Sequence, residues 1–363
     1  MGEESVEKVG LIRLMSWLGL LTGGLYRLGI STRLALYRRG WLPVRRLPFP
    51  VISVGNLTVG GSGKTPHVAL IAAYFKKKGI RVVVLSRGYG GEKSRSGAVI
   101  ATDREIVGTV EEGGEEPYWL AEHLPGVPVI IGRNRYRSGM LAFERFQAQL
   151  AVLDDGYQHL ALARDMNILL LPAHRPFGEG GLLPIGTLRE PESQIKRADL
   201  LVITQAEMVP EENRPALQTR IQARRPQTPL FFSSHEPRSL WRFPGREPQP
   251  LSWLKDKRVL AFCGLARPES FAHSLRAAGA EVARLVPFRD HYGYREKDLR
   301  RLARQAEEAE AAAVVTTEKD ALKLPDWLGG PPLFVLQIEV VLPDPEFWRR
   351  MDSVLPVFSV PSR

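Results

Sequence analysis

The octet Thr58-Val59-Gly60-Gly61-Ser62-Gly63-Lys64-Thr65 constrains this chain more than any other segment. It lies between an apolar run, Phe49 to Val54, and a helical pattern that begins at Pro66. Strand, glycine-rich loop and helix in that order form a phosphate cradle. Glycines let backbone N–H groups approach a polyphosphate, Lys64 reaches the β- and γ-phosphates, and the Thr65 hydroxyl is a Mg²⁺ ligand. Pro66 suits the first turn of the helix, where a missing N–H costs nothing. The strict pattern has glycine where this chain has Thr58, so the strand and helix context carries the assignment.

Downstream, Val68 to Lys78 has helical spacing and stops at Gly79, and Ile80 to Leu85 is a β-branched run, which completes a βαβ unit. Further apolar runs at Val127 to Ile131, Leu150 to Leu153, Ile168 to Leu171 and Leu200 to Thr204 alternate with helical or glycine-rich stretches, as a parallel sheet requires. Composition changes around Pro226 to Pro250, and a second α/β pattern follows: strands at Arg258 to Cys263, Ala280 to Val286 and Ala313 to Thr316, helices at Pro268 to Ala278 and Arg295 to Ala312. Leu333 to Leu342 is a long apolar strand with Leu230 to Ser234 as its expected partner in a two-stranded connection. The predicted fold is α/β, with a P-loop NTPase-like parallel sheet core over residues 47–226. A second, smaller α/β domain over 227–343 is joined by the β-ribbon, and 344–363 form a C-terminal helix or tail.

The formal charge of +10 favours anionic partners: nucleic acid, an acidic membrane surface or a phosphorylated substrate. With a single cysteine, Cys263, the chain has no internal disulfide and no cysteine-based zinc cluster. Residues 1–46 read as a basic membrane-interfacial segment. Between Arg13 and Arg27 the uncharged centre is too short to span a bilayer. On a helical wheel Leu11, Leu14, Met15, Leu18, Leu21 and Leu25 share one face, opposite Arg13, Ser16 and Arg27. Arg33, Arg38, Arg39, Arg45 and Arg46 then supply a polybasic flank for anionic headgroups. A helix packed on the core is the alternative. The acidic start at Glu3, Glu4 and Glu7 does not suit a signal peptide.

Chemistry-bearing residues gather at predicted strand ends. Ala151 to Leu153 delivers Asp154 and Asp155, and Asp154 is the natural metal partner of Thr65. Ser86-Arg87-Gly88-Tyr89, Gly132-Arg133-Asn134-Arg135 and Leu188-Arg189-Glu190 each place guanidinium groups where phosphates are met. Gly114-Glu115-Glu116 puts paired carboxylates before a helix, and Asp290-His291-Tyr292 lies in a loop of the second domain. Brought together across a cleft, a carboxylate and a histidine make a base for an acceptor hydroxyl.

Taken in order, VGNLTVGGSGKTP, SRGYGG, GRNR, LDDGYQH, LREP, DHY and TTEKDA resemble the tetraacyldisaccharide 4'-kinases, the lipid A 4'-kinases of Gram-negative envelope synthesis. The resemblance runs from the basic N-terminal helix to about Leu324, and DDGYQH joined to the glycine loop is specific to that family. It implies an ATP- and Mg²⁺-dependent kinase acting on the 4'-hydroxyl of a tetraacylated glucosamine disaccharide 1-phosphate, peripheral at the cytoplasmic face of the inner membrane. Neither nucleic acid nor an obligate protein partner is implied. Thr58 to Thr65 then bind the nucleotide, with Lys64 catalytic. Thr65, Asp154 and Glu190 serve the metal. Asn56, Arg87, Tyr89, Arg135, Gln158, His159 and Arg189 serve the substrate, and His291 partners the catalytic acid. The family's usual Gly-Asp-Glu is Gly114-Glu115-Glu116 here, so the base is Glu115, one methylene longer, or else Asp155 or His291.

Two other classes compete. A P-loop nucleotide switch acting on a membrane-associated partner needs no small acceptor, but its best-known membrane-associated form has a lysine where this chain has Val59. A nucleic-acid module is suggested by charge alone, without aromatic and basic interleaving.

Overall fold

The structure, a computed structural model, describes residues 22–289, 292–327 and 329–355. The first sheet holds β1 (Val51–Asn56), β2 (Val82–Ser86), β3 (Ala98–Ala101), β4 (Val129–Ile131), β5 (Leu150–Asp154), β6 (Met166–Pro172), β7 (Leu200–Thr204) and β8 (Leu230–Phe232), in spatial order β3-β4-β2-β5-β1-β6-β7-β8. All neighbours are parallel except β3 against β4. Both faces are covered, which is why β1 and β5 are mostly apolar ahead of their carboxyl ends. Ile52 and Val54 point to one face, where the helix Lys64–Lys77 buries Val68, Ile71, Ala72 and Phe75 at helical spacing. Val51 points to the other, with Ala142 of the helix Arg135–Phe146. The carboxyl ends of β1, β2 and β5 carry Asn56, Ser86 and Asp154, so a ligand crevice forms at that edge.

The second sheet holds β9 (Ser234–Arg242), β10 (Glu247–Gln249), β11 (Arg258–Cys263), β12 (Glu281–Pro287), β13 (Ala313–Thr317) and β14 (Leu333–Val341), in order β10-β9-β14-β13-β11-β12. Strands β12, β11, β13 and β14 run parallel, and β9 pairs antiparallel with β14 from Arg242 opposite Phe334 to Ser234 opposite Val341. The ribbon between the two lobes is therefore β9 with β14. Leu230–Phe232 is instead the parallel edge strand of the first sheet. The division falls at Ser233 because Phe231 packs in the first core, with its ring 5.4 Å from that of Phe347, whereas β9 begins with the polar Ser-His-Glu of a half-solvated ribbon. After β14 the helix Pro345–Asp352 returns to the first lobe, burying Phe347 and Met351. Cys263 is a buried core residue of the second lobe whose thiol burial pushes up to about 12.

Residues 22–38 are helical. Leu11, Leu14, Met15, Leu18 and Leu21 of the predicted membrane face, with Arg13 and Ser16 opposite, lie outside the described residues. Leu25 and Leu28 are 70% and 65% exposed, and Trp41 follows them at the surface. No described helix is long and apolar enough to cross a membrane. The polybasic flank is less free than its sequence suggests. Arg33 donates to the Gln158 carbonyl at 2.8 Å, Arg45 packs over the Tyr136 ring, and Arg46 pairs with Asp165 at 2.7 Å.

Candidate active site

The glycine loop leaves β1 and enters the helix through Gly63, whose φ of 75° is a left-handed conformation that favours glycine. Thr58 stands where the strict pattern has glycine because the loop starts extended: Thr58 bridges to Leu188, and the Val59 N–H donates to the Thr187 carbonyl at 2.8 Å. His67, one turn into the helix, donates from Nδ1 to the Gly63 carbonyl at 2.6 Å and accepts from the Ser233 hydroxyl at 2.8 Å. Burial holds its ring neutral, pulling it down to about 3. The loop is thus tied to the base of the ribbon.

Lys64 Nζ lies 3.5 Å from Asn56 Oδ1 and 3.8 Å from Asp155 Oδ1. Asp155, at the turn after β5, also receives Arg189 at 2.6 Å. Burial opposes its charge, but Lys64 and Arg189 hold the carboxyl below its ordinary value. Asp154 behaves oppositely. It is 1% exposed, Oδ2 accepts from the Ser86 hydroxyl at 3.2 Å, and Oδ1 has no partner. Burial, with the charges of Glu116 and Asp155, pushes it up to about 7. A buried carboxylate with a free oxygen beside a phosphate loop fits a divalent cation. Among the described residues no three His, Cys, Asp or Glu side chains form a ready-made metal nest. That suits Mg²⁺, which takes one or two protein oxygens and completes its shell with phosphates and water.

A cleft of about 1000 Å³ opens over this loop and is walled by both lobes. The first lobe contributes Val59 to Thr65, Arg87, Tyr89, Glu115, Glu116, Arg135, Asp154, Asp155, Gln158, His159 and Arg189; the second contributes Leu265 to Arg267 and Thr317 to Lys319. One end of the cleft is strongly positive. Arg135, 3% exposed, is pulled down to about 10 by burial, and burial together with Arg135, Arg164, Arg33 and Arg87 pulls His159 down to about 4. Such a cluster is stable when an anion shares it. The opposite wall is fixed by the fully buried Asp320. Its carboxylate accepts from the Gly264 N–H at 3.0 Å, the Thr317 hydroxyl at 2.7 Å and the Tyr294 hydroxyl at 2.9 Å. Gly114, just before Glu115, has φ 87°, and a Cβ there would collide with the Tyr89 carbonyl. Glycine therefore lets the Arg87 to Gly91 loop lie against the helix Glu115–His123.

Several predicted residues sit elsewhere. Glu190 is fully buried and absent from the cleft wall; its Oε2 is ion-paired to Arg197, while its Oε1 has no hydrogen-bond partner among the described residues. Burial moves its carboxyl upward. Asn56, also fully buried, stands behind the cleft, where it accepts from Lys64 and its carbonyl accepts from Gln158 at 2.9 Å. It supports the site without facing a ligand. Thr58 faces an adjoining depression with Arg175 and Arg267. His291 lies outside the described residues. Conversely, Tyr26, Ile30 and Arg33 of the helix at 22–38 line the cleft, and Tyr26 donates to the Arg189 carbonyl at 3.0 Å. The sequence offered Arg33 only as one member of a basic run. His235 and Trp119 are further wall residues that spacing alone did not single out.

Comparison with known proteins gives a consistent result. A family model described as tetraacyldisaccharide-1-P 4'-kinase matches residues 15–356. The chain is 41% identical over 312 residues to the tetraacyldisaccharide 4'-kinase of Geobacter sulfurreducens, covering 86% of this chain and 85% of that protein. It is 41% identical over 334 residues to the protein of the same name from Anaeromyxobacter sp. strain K, covering 92% and 87%. Among solved structures, the "apo" form of LpxK from Aquifex aeolicus in complex with ATP is similar with a TM-score of 0.72 and 36% identity, over 94% of this chain and 100% of that one.

Proposed function

The chain belongs to the tetraacyldisaccharide 4'-kinase family, the kinases of lipid A biosynthesis, and we propose that its phosphoryl transfer is carried out by the residues gathered at the interlobe cleft. The protein is an ATP-dependent transferase with a P-loop core. Its acceptor is the 4'-hydroxyl of a tetraacylated glucosamine disaccharide 1-phosphate. The observation that carries the residue assignment is the convergence of Lys64, Asp154, Asp155 and Glu115 on one cavity that both lobes wall.

In this reading the loop from Val59 to Thr65 holds the polyphosphate of ATP and Lys64 neutralises the terminal phosphoryl group. A Mg²⁺ held by Thr65 and Asp154 would offset charge on the phosphate oxygens. Glu115 accepts the proton of the 4'-hydroxyl as the sugar oxygen bonds to phosphorus and the bond to the ADP oxygen breaks. Two cations already hold Asp155, which suits it to anchoring Lys64 and Arg189 more than to taking a proton. His291 keeps the role the resemblance gives it, orienting Glu115. Arg33, Arg87, Arg135 and His159 form the anion-binding end, suited to the acceptor's own phosphate. Glu190 supports that end through Arg197, and its unpartnered Oε1 keeps the metal contact that the resemblance gives it.

The exposed Leu25, Leu28 and Trp41 lie on and just after the helix whose Tyr26, Ile30 and Arg33 line the cleft. Docking that helix peripherally on the cytoplasmic face of the inner membrane presents the cleft to a sugar whose acyl chains stay in the bilayer. Incubating the full chain with γ-labelled ATP, Mg²⁺ and the lipid disaccharide 1-phosphate tests the assignment. Label on the 4'-oxygen, lost in Lys64→Ala, supports it; ADP release that needs no lipid acceptor contradicts it.

A further inference from the structure

The helix Glu115–His123 of the first lobe is pinned to the second lobe at both ends. At its start Glu115 Oε1 lies 3.2 Å from Lys323 Nζ, and at its end His123 Nε2 lies 3.1 Å from Glu318 Oε1. Glu318 and Lys323 belong to one short segment, the helix Glu318–Ala321 and the turn after it, and the Lys323 N–H donates to the Asp320 carbonyl at 3.0 Å. That segment is rigid for a stated reason: the buried Asp320 carboxylate accepts bonds from Gly264, Thr317 and Tyr294. Lys323 therefore projects from a fixed base, and its side chain is 12% exposed beside a Glu115 side chain that is 16% exposed. Little water remains there to screen the pair. A glutamate side chain turns about three torsions, so its carboxylate wanders unless something holds it.

We propose that Lys323 is a positioning residue for the transfer step: reaching across the cleft from the second lobe, it holds the Glu115 carboxylate at the acceptor side of the phosphate loop, so that the base is in place only when the two lobes face each other. The inference rests on Glu115 being the base. Lys323 is absent from the cleft wall itself, so it acts through Glu115 and touches neither substrate.

The test uses the full chain with ATP, Mg²⁺ and the lipid disaccharide 1-phosphate, comparing Lys323→Met, Lys323→Arg, Glu115→Gln and the double variant Lys323→Met with Glu115→Gln. Lys323→Met lowers kcat by about 30- to 100-fold with the KM for ATP within about two-fold, the size of effect that misplacing a reacting group by about 1 Å produces. Lys323→Arg, which restores a cation of similar reach, recovers most of the rate. In the Glu115→Gln background the lysine change adds less than about two-fold, because residues acting as a unit are not additive. An unchanged kcat in Lys323→Met alongside a large loss in Glu115→Gln overturns the positioning role and leaves the base intact. A large loss in Lys323→Met alongside near-normal Glu115→Gln removes the base assignment, and Lys323's route through it. A loss in Lys323→Met that Lys323→Arg fails to recover and that comes with a melting temperature lowered by more than a few degrees makes the lysine merely structural and also overturns the proposal.

Discussion

Asp154→Asn should make the protein more stable and inactive at the same time. The wild-type carboxyl sits at about 7 because burial, Glu116 and Asp155 all oppose its charge. Its ordinary value is 3.8. A folded value raised above the unfolded one means that the folded state holds its proton more tightly. Stability is therefore lost as pH rises from about 4 to 7 and stays lost above that. At pH 8 the penalty is on the order of 4 kcal/mol, at most, from about 1.4 kcal/mol per pH unit. Asparagine has the shape of the neutral acid and carries no such penalty. In thermal melts with EDTA and no nucleotide, Asp154→Asn should melt several degrees above wild type at pH 8. At pH 5.5 the folded carboxyl is protonated but the unfolded one is already ionised, so about half of that difference remains, and the two should melt together only near pH 4 and below. Added Mg²⁺ and ATP should raise the melting point of wild type far more than that of the variant, because the carboxylate that the cation pairs with is gone. A variant that melts below wild type at pH 8, or a gain of equal size at pH 5.5 and 8, would refute the reasoning. Stability set aside at one residue in this way is what a metal-loading carboxylate entails.

Lys64→Ala removes a cation about 4 Å from the transferring group; at an effective dielectric of about 20 that interaction is worth about 4 kcal/mol, so kcat/KM should fall about 1000-fold with the melting point little changed. Steady-state kinetics within tenfold of wild type would discard its role. Burial depresses the His123 imidazole, but its bond to Glu318 and that residue's charge raise it further, so the folded value lies above 6.5. The pair therefore contributes fully below pH 6.5 and fades as pH rises past the folded value. His123→Gln should lower the melting point at pH 6 and much less at pH 9; a pH-independent loss would mean that packing on Trp119, not charge, holds the helix. Leu25→Glu with Leu28→Glu changes exposed positions and should leave the fold intact while weakening binding to anionic vesicles, with about 1.5 kcal/mol or more lost per leucine. Unchanged sedimentation with vesicles would show that this helix serves the cleft alone.

What the sequence disclosed and what it concealed divide along a physical line. The phosphate loop was legible because its demands are local: glycine torsions, a preceding apolar strand, a following helix. The alternation of strands and helices was legible for the same reason, since β1, β5 and β7 are buried on both faces and therefore mostly apolar. Edge elements were not. The strand Ala98–Ala101 is four residues long and antiparallel, and Leu230–Phe232 looks like a ribbon strand until the packing of Phe231 on Phe347 assigns it to the first sheet. Within the site, local spacing pointed to Lys64 and Asp154, whereas nothing in Leu-Arg-Glu-Pro shows that Glu190 pairs with Arg197. Arg33 turns inward to a carbonyl 125 residues away, and Tyr26 to one 163 residues away. A basic run on a helical wheel carries no information about such partners.

The central claim is that a triphosphate lies over the loop from Val59 to Thr65 with its cation between Thr65 and Asp154. A crystal of the full chain grown with Mn²⁺ and a non-hydrolysable ATP analogue, with the metal located by its anomalous signal, tests it directly. The account predicts the phosphates against the loop N–H groups and Lys64, and one manganese peak within bonding distance of the Thr65 hydroxyl and a terminal phosphate oxygen, with Asp154 reaching it directly or through one water. Phosphates bound elsewhere in the cleft, or a manganese peak beside Glu190 with Asp154 turned away, would contradict it.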